Sequence, residues 1–251
     1  MQQIRVGCCG WCMGRSKYYS ELTAIELQDT FYDRPDPDRL SRLRSEAPEG
    51  FRFTMKAWQA VTHPPDSPTW RRAKERPGPE VADKMGLLRT TKENLEAWDV
   101  TARAARALGA SLVVVQTPPS FGFSEDNERQ AAEFFATVST KDFVIGWEPR
   151  GSWRNHLDAV ARVLERSDNV VHVVDPLVLR SVKFTPVAYF RLHGLGRGEV
   201  NYRYRYTEDD LRRLINEVSK YAAAAEVYVM FNNVYMKDNA RELINMLKAQ
   251  A

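Results

Sequence analysis

Eight short apolar runs, spaced along the whole chain, constrain the fold of this sequence more than any other feature. Each run is rich in Val, Ile, Phe or Tyr and is followed by polar residues, Gly or Pro, as buried parallel strands are. The predicted strands are Ile4–Cys8, Ala24–Thr30, Phe51–Ala57, Ser111–Thr117, Phe143–Glu148, Asn169–Asp175, Val187–His193 and Glu226–Asn232.

Helical patterns separate most of these runs. They cover Asp38–Glu46, Lys92–Leu108, Asn127–Val138, Arg154–Arg166, Glu208–Ala223 and Asp238–Lys248. The connections after the first and sixth strands are too short for more than a turn or two of helix. This alternation predicts an α/β fold, a single (β/α)8 barrel of the TIM type over residues 1–251, closed by parallel pairing of its first and last strands. The main alternative is an open doubly wound sheet, but no Gly-x-Gly-x-x-Gly or Walker A pattern supports it.

Composition and charge exclude several classes of protein. With 43% hydrophobic and 27% charged residues, the chain has the composition of an ordinary globular protein rather than a disordered one. Its net charge of +3 is only mildly basic, so an argument for nucleic-acid binding has to depend on local clusters. The first strand begins at Ile4, which leaves no room for a signal peptide, and no apolar run is long enough for a membrane span. We therefore expect a cytoplasmic protein, and the closely spaced Cys8, Cys9 and Cys12 fit a reducing compartment.

Polar residues recur where each predicted strand ends. In a (β/α)8 barrel these positions surround the mouth at which active sites lie. The candidate site residues at these positions are Trp11, Tyr32, Lys56, His63, Gln116, Glu148, Arg150, Asp175, Arg191, His193, Asn232 and Asn233. All of them except Trp11, Tyr32, His63 and Asn233 are predicted to line one shared cavity.

Seven ordered motifs resemble those of the YecE-like proteins, the DUF72 family, over nearly the whole chain. They are Gly7-Cys8-Cys9-Gly10-Trp11, Ile25–Tyr32, Phe51–Lys56 with Thr62-His63, Gln116–Phe121, Trp147–Arg150 with Ser152-Trp153, Tyr189–Gly194, and Phe231–Asn233 with Asn239-Ala240. The resemblance implies a TIM-like barrel distantly similar to endonuclease IV and xylose isomerase, but it implies no reaction. Two departures stand out: cysteines occupy the positions of the family's usual Thr-Ser, and Gly151 replaces a polar residue, often His.

Two pairs of residues carry the catalytic hypothesis. Glu148 and Arg150 share strand parity, so both should face the barrel interior, where the arginine could hold the carboxylate ionised or bind an anion. Arg191 and His193 repeat this parity on the seventh strand. The glycine-rich segment that follows is typical of phosphate-binding loops in barrels. Its residues include Gly194, Gly196 and Arg197.

The leading hypothesis is an enzyme that acts on a phosphate-bearing substrate, which could be a nucleic acid, as a hydrolase of phosphate esters or phosphodiesters. Glu148 and His193 would be its acid or base groups, while Arg150 and Arg191 would bind the anion. In a sugar-phosphate isomerase or epimerase, the alternative reaction, Lys56 and Asp175 would share proton transfer with Glu148.

Metal binding is a further possibility that the sequence leaves open. His63, His193, Glu148 and Asp175 have side chains that suit a divalent Zn, Mn or Fe ion. No His-x-x-x-His or His-x-Asp spacing supports such a site. The chain also has one cysteine too few for a four-thiolate centre built on Cys9-x-x-Cys12. We therefore assign no metal ligand and leave the cofactor open.

Two basic segments suggest a non-catalytic alternative. The long connection after the third strand carries Arg71, Arg72, Lys74 and Arg76, and Asn201–Tyr206 alternates tyrosines with Arg203 and Arg205. Grooves that bind single-stranded nucleic acid combine cations with aromatic rings in this way. The expected partner is therefore a phosphate-bearing small molecule or single-stranded nucleic acid, and the chain could also be a non-catalytic nucleic-acid or nucleotide binding protein.

Overall fold

The strands close into a barrel in chain order, β1 to β8. The computed structural model describes residues 3–196 and 198–249. The strands are β1 Gln3–Cys9, β2 Ala24–Leu27, β3 Arg52–Lys56, β4 Leu112–Gln116, β5 Val144–Glu148, β6 Val170–Val174, β7 Val187–Leu192 and β8 Glu226–Phe231. Because β1 pairs in parallel with β8 from Gln3 to Cys8, the predicted closure and barrel fold are confirmed.

Eight α-helices accompany the strands within the described residues. They are α1 Arg15–Glu21, α2 Asp29–Tyr32, α3 Pro37–Glu46, α4 Lys92–Leu108, α5 Glu125–Thr137, α6 Leu157–Glu165, α7 Glu208–Ser219 and α8 Met236–Ala249. Local chemistry sets some of their ends: Thr207, for example, caps the N-terminus of α7, where the Thr207 and Asp210 side chains form a reciprocal capping box. None of these helices is both long and apolar enough to cross a membrane.

Three predicted boundaries are wrong. The helix expected over Glu208–Ala223 ends at Ser219, where a turn begins. The strand expected over Ala24–Thr30 ends at Leu27, because Gln28 already has helical backbone angles and Asp29 begins α2. The helix expected over Arg154–Arg166 begins only at Leu157, since Gly151–Asn155 forms a 3-10 helix that ends before α6. Segments 57–91 and 175–186 contain no α-helix, and the first of these carries three short 3-10 helices.

The chain divides into two compact units. The β1 unit comprises Met1–Leu27, Ala47–Phe53 and Val171–Ala251, and therefore holds β1, β2, β7, β8 and most of β6. The β4 unit comprises Gln28–Glu46 and Thr54–Val170, and holds β4, β5 and most of β3. In the β4 unit, Trp98 of α4 packs edge-on against Phe134 of α5, with ring centroids 5.8 Å apart. The one-domain organisation stays a prediction.

Candidate functional site

Strand register aligns three of the predicted site residues in the β4 unit. Lys56 on β3 pairs with Val114 on β4, and Gln116, two residues further along β4, pairs with Glu148 on β5. Paired residues of neighbouring parallel strands project to the same side of a sheet, as do residues two apart on one strand. Lys56, Gln116 and Glu148 therefore share one face, and each is the last residue of its strand.

The face that they share is the interior of the barrel. Trp147, the residue before Glu148, packs against Phe135 of α5 with ring centroids 5.5 Å apart and so points to the helices. Successive strand residues alternate between faces, which directs Glu148 inward. Lys56 and Glu148 are both buried, with 8% and 5% of their surface exposed.

Lys56 lies in an aromatic environment at the end of β3. Its Nζ is 3.6 Å from the centroid of the Phe31 ring, a close cation–π contact. Phe31 belongs to α2, and α2 is tied to β3 by Thr30, whose hydroxyl donates to the Lys56 carbonyl oxygen at 2.8 Å. The tertiary contact of Phe31 thus places the lysine ammonium against an aromatic ring.

His63 also contacts Phe31, with ring centroids 5.0 Å apart. Its Nδ1 is 2.8 Å from the Thr62 hydroxyl oxygen. Burial, and then the positive charge of Lys56, lower the pKa of His63 from its ordinary 6.5 to about 3. The imidazole is therefore neutral at physiological pH, where it can donate or accept a hydrogen bond but cannot act as a charged acid.

Glu148 and Arg150 form a buried ion pair, as their spacing predicts. The Arg150 Nη2 is 2.6 Å from the Glu148 Oε1, and Arg150 lies just before the 3-10 helix at Gly151. Gly151 has a φ of +71°, and a Cβ there would lie 2.9 Å from the Pro119 carbonyl oxygen. This close approach and the positive φ favour glycine at a position where the resemblance noted from the sequence implies a polar residue.

A second buried ion pair lies in the β1 unit, and the sequence patterns did not predict it. The Arg191 Nη2 is 2.9 Å from Glu26 Oε1, and the Tyr189 hydroxyl donates to Glu26 Oε2 at 2.9 Å. Glu26 is fully buried and Arg191 is 1% exposed. The signal that could have identified Glu26 is a single charged residue inside the apolar run Ala24–Leu27, because a buried charge requires a partner. Arg191 thus contacts a carboxylate of its own chain.

His193 and Asn232 directly follow β7 and β8, and the structure brings them together. Asn232 Nδ2 and His193 Nδ1 are 3.1 Å apart. Asn233 has a different environment: its amide nitrogen donates to the Tyr204 carbonyl at 2.7 Å and to Asn239 Oδ1 at 3.0 Å. These contacts tie the end of β8 to the loop that precedes α7, which gives Asn233 a structural role.

The glycine-rich segment after β7 is a folded loop held by side chains. Gly194, with a φ of +87°, donates its N–H to the Tyr206 hydroxyl at 2.8 Å, and a Cβ there would collide with the Asn201 carbonyl oxygen. The Tyr206 hydroxyl in turn donates to Asp175 Oδ2 at 3.4 Å. Asp175 also caps a turn through the Leu177 N–H.

Other predicted members of this loop have fewer described contacts. Gly196 also has a positive φ, of +122°. Arg197 lies outside the described residues.

The basic segment of the β4 unit is exposed. Arg71, Arg72 and Lys74 all lie on the surface. Arg72 is anchored there, because its Nη1 donates to the Tyr32 hydroxyl at 2.6 Å and its guanidinium lies 4.2 Å from the Tyr32 ring centroid. Tyr32, a candidate for substrate binding, is therefore covered on one side by an arginine.

Only part of the tyrosine–arginine segment of the β1 unit, residues 202–206, is exposed to solvent. Arg203 and Arg205 are exposed, and Tyr202 is 48% exposed. Tyr206 is buried, and the Tyr204 hydroxyl donates to Asp210 at 2.7 Å. Of the three tyrosines only Tyr202 is exposed, and its ring lies edge-on to the His193 ring with centroids 6.1 Å apart.

Trp11 packs on the first helix. Trp11 lies edge-on against Tyr18 of α1, with ring centroids 5.0 Å apart, and Arg15 lies 5.7 Å from the Trp11 ring centroid.

Across residues 3–196 and 198–249, no three or more His, Cys, Asp or Glu side chains form a group that could hold a metal ion. That residues of both units line one cavity stays a prediction.

Comparison with known proteins identifies the family. The pattern described as "Protein of unknown function DUF72" matches residues 14–251. The structure resembles a DUF72 family protein from Enterococcus faecalis V583 (TM-score 0.68, 23% identity, 99% of this chain and 98% of that chain covered). No curated protein matches the chain.

Two enzyme structures share the fold at lower identity. One is endonuclease IV from Thermus thermophilus (TM-score 0.56, 13% identity, 98% of this chain and 100% of that chain covered). The other is D-psicose 3-epimerase with D-tagatose from Clostridium cellulolyticum H10 (TM-score 0.57, 9% identity, 99% of each chain covered). At such identities the likeness concerns the fold alone. The family match covers most of the sequence, and the chain belongs to the DUF72 family.

Proposed function

We propose that this protein is an enzyme that acts on a phosphate-bearing substrate at the carboxyl ends of β3, β4 and β5. The observation that carries the proposal is the register of these strands, which aligns Lys56, Gln116 and Glu148 on one interior face. Arg150 joins them through its 2.6 Å contact with Glu148. Active sites of (β/α)8 barrels are built at this end of the strands.

The charge of this cluster suits an anion. Lys56 and Arg150 supply two cations and Glu148 supplies one carboxylate, so the four side chains together carry one net positive charge. Both cations are at least nine-tenths buried, and a charge in such a weakly screened environment attracts phosphate more strongly than one in water. Arginine and lysine are the usual protein ligands of phosphate oxygens.

The same geometry supports specific roles. In hydrolysis of a phosphate ester, Glu148 would accept the proton of the attacking water, while Lys56 and Arg150 would stabilise charge on the phosphoryl oxygens. Gln116 would hydrogen-bond the substrate. Arg191, which is bound to Glu26, would support the barrel interior rather than hold the ligand. The catalytic roles of His193 and Asp175, a divalent metal cofactor and a cytoplasmic location stay predictions.

Binding and turnover are tested separately. We expect inorganic phosphate or a sugar phosphate to raise the melting temperature, since a ligand that binds only the folded state stabilises it. Lys56→Met should weaken this effect, whereas Lys92→Met, at a lysine with 84% of its side chain exposed, should not. Glu148→Gln should reduce hydrolysis of chromogenic phosphomonoesters and phosphodiesters by about 100-fold or more without preventing phosphate binding.

Other results would overturn the proposal. If no phosphate compound stabilises the wild type, the cations are structural. Phosphate binding without any turnover would favour the non-catalytic alternative. If a sugar phosphate is interconverted without release of phosphate, the protein is an isomerase or epimerase.

Nucleic-acid binding is the second candidate, favoured by the exposed Tyr202, Arg203 and Arg205. Labelled single strands titrated at several salt concentrations test it, because each neutralised phosphate adds about 0.7 to the slope of log affinity against log salt. An Arg203→Ala/Arg205→Ala variant should bind more weakly and with a shallower slope. Absence of binding by the wild type at low salt contradicts this candidate.

A further inference from the structure

The proposed function makes no use of the three cysteines at the end of β1. Cys8, Cys9 and Cys12 are all reduced in the structure. The sulfur atoms of Cys8 and Cys12 lie 3.6 Å apart. Since sulfur atoms in a disulfide are about 2.05 Å apart, an approach of about 1.5 Å would bring these two to bonding distance.

Strand geometry distinguishes Cys8 from Cys9. Cys8 Sγ is 3.5 Å from the carbonyl oxygen of Met236, so Cys8 points outward to α8. Cys9 is the next strand residue and therefore points to the opposite face, at the position that pairs with Glu26 on β2. Cys12, in the loop beyond the strand, approaches Cys8 and therefore lies on the helix side.

The two close sulfur atoms differ in accessibility and charge. Cys8 is fully buried, whereas Cys12 is partly exposed. The hydrogen bond with Cys8 and the positive charges of Lys237 and Arg241 lower the pKa of the Cys12 thiol, while the contact with Cys12 and burial raise the pKa of Cys8. The thiolate is the reactive form of cysteine, so the sulfur that solvent reaches is also the one that ionises first.

We propose that Cys8 and Cys12 are a redox-active pair that a peroxide converts into a disulfide. The Cys12 thiolate attacks a peroxide oxygen, which forms an S–O bond, breaks the O–O bond and releases hydroxide. The Cys8 sulfur then attacks the Cys12 sulfur, forming the S–S bond and breaking the S–O bond, and the Cys8 proton leaves with the hydroxyl group as water. Two electrons pass from the two thiols to the peroxide. An external dithiol then reduces the disulfide back to two thiols and is itself oxidised to a disulfide.

The disulfide would close a ring from Cys8 to Cys12 that contains Trp11. This loop follows β1 directly and packs on α1 through the Trp11 contact with Tyr18. Oxidation would therefore fix the loop covalently to its strand. The inference is independent of the proposed function, because it depends only on the cysteines and on α8.

Thiol counting and mass measurement on the full chain test the pair. Hydrogen peroxide should reduce the titratable thiols from three to one, and a reducing dithiol should restore three. Trypsin cleaves after Arg5 and Arg15, so all three cysteines fall in the peptide Val6–Arg15, which should lose about 2 Da on oxidation. Oxidation of Met13 in that peptide increases its mass, so it can be distinguished from disulfide formation, which decreases the mass.

Single variants identify the partners. Cys9→Ala should still lose about 2 Da, whereas Cys8→Ala should not and should instead accumulate a Cys12 sulfenic acid that dimedone captures. If Cys8→Ala does not fold, Cys12→Ala takes its place, because it changes a partly exposed loop residue. Cys12→Ala should likewise form no internal disulfide. The proposal is overturned if Cys8→Ala forms an internal disulfide, if Cys9→Ala does not, or if the wild type yields only intermolecular disulfides.

Discussion

His63 should make the protein less stable in mild acid, and replacing it should remove much of that sensitivity. Its pKa in the folded state is about 3, against an ordinary 6.5 in an unfolded chain. Between these two pH values the unfolded state binds the proton and the folded state does not. Acid therefore favours unfolding, and the stability associated with neutral His63 is present above about pH 6.5 and is lost as the pH falls below it.

The size of the effect follows from the two pKa values. At about pH 5 protonation of an unfolded histidine with a pKa near 6.5 stabilises the unfolded state by about 2 kcal/mol, while folded His63 remains almost wholly neutral. At about pH 7.5 the same contribution is below about 0.1 kcal/mol. For a chain of 251 residues, a loss of 2 kcal/mol corresponds to a fall in Tm of about 4–8 °C.

Urea unfolding of wild type and His63→Asn at about pH 7.5 and pH 5 measures this contribution. Asparagine keeps a polar atom near the position of Nδ1 but cannot titrate. Between about pH 7.5 and pH 5 the free energy of unfolding of His63→Asn should therefore fall by about 2 kcal/mol less than that of the wild type. His156→Asn, at an exposed histidine that stacks on Phe123, should retain the wild-type loss because His63 is intact. Equal losses in wild type and His63→Asn would refute the reasoning.

Three further substitutions probe the β1 unit. Arg191→Met removes the cation from the buried Glu26 carboxylate and should lower the free energy of unfolding in urea by about 3–5 kcal/mol. The double variant Glu26→Gln/Arg191→Met should recover about half of this loss or more. Equal stability of the single and the double variant would contradict this expectation. Gly194→Ala should lower stability by at least about 1–2 kcal/mol in the same assay, since its φ is left-handed and a Cβ meets the Asn201 carbonyl; a neutral effect would show that the loop relaxes. Tyr206→Phe removes the hydroxyl that accepts the Gly194 N–H and should cost about 1–3 kcal/mol, and an unchanged melting curve would contradict that role.

Local patterns in the sequence predict the strands well but not where every strand ends. The residues Ala24–Thr30 are typical of a single β-strand, but α2 begins at Asp29 and ends that strand early. Phe31 of α2 is buried against Lys56, a tertiary contact that the local sequence pattern does not predict. Strand periodicity does predict the Glu148–Arg150 pair, whose members are two residues apart. The partner of Glu26 is 165 positions away on β7, and nothing in either strand specifies that Arg191 rather than another cation reaches it.

The parallel pairing of β1 with β8 has a consequence for biogenesis. Gln3 pairs with Glu226 and Cys8 with Phe231, so one of the two partners of the first strand is synthesised more than two hundred residues later. Until then a nascent sheet presents unpaired N–H and C=O groups along two edges, which are templates for association with other chains. Folding dominated by such distant contacts is also slow, because the chain loses conformational entropy on closing the long loop before the stabilising contacts form. The edge of β1 that β8 covers therefore stays open to association with other chains until β8 has been made, whereas the closed barrel leaves that edge paired.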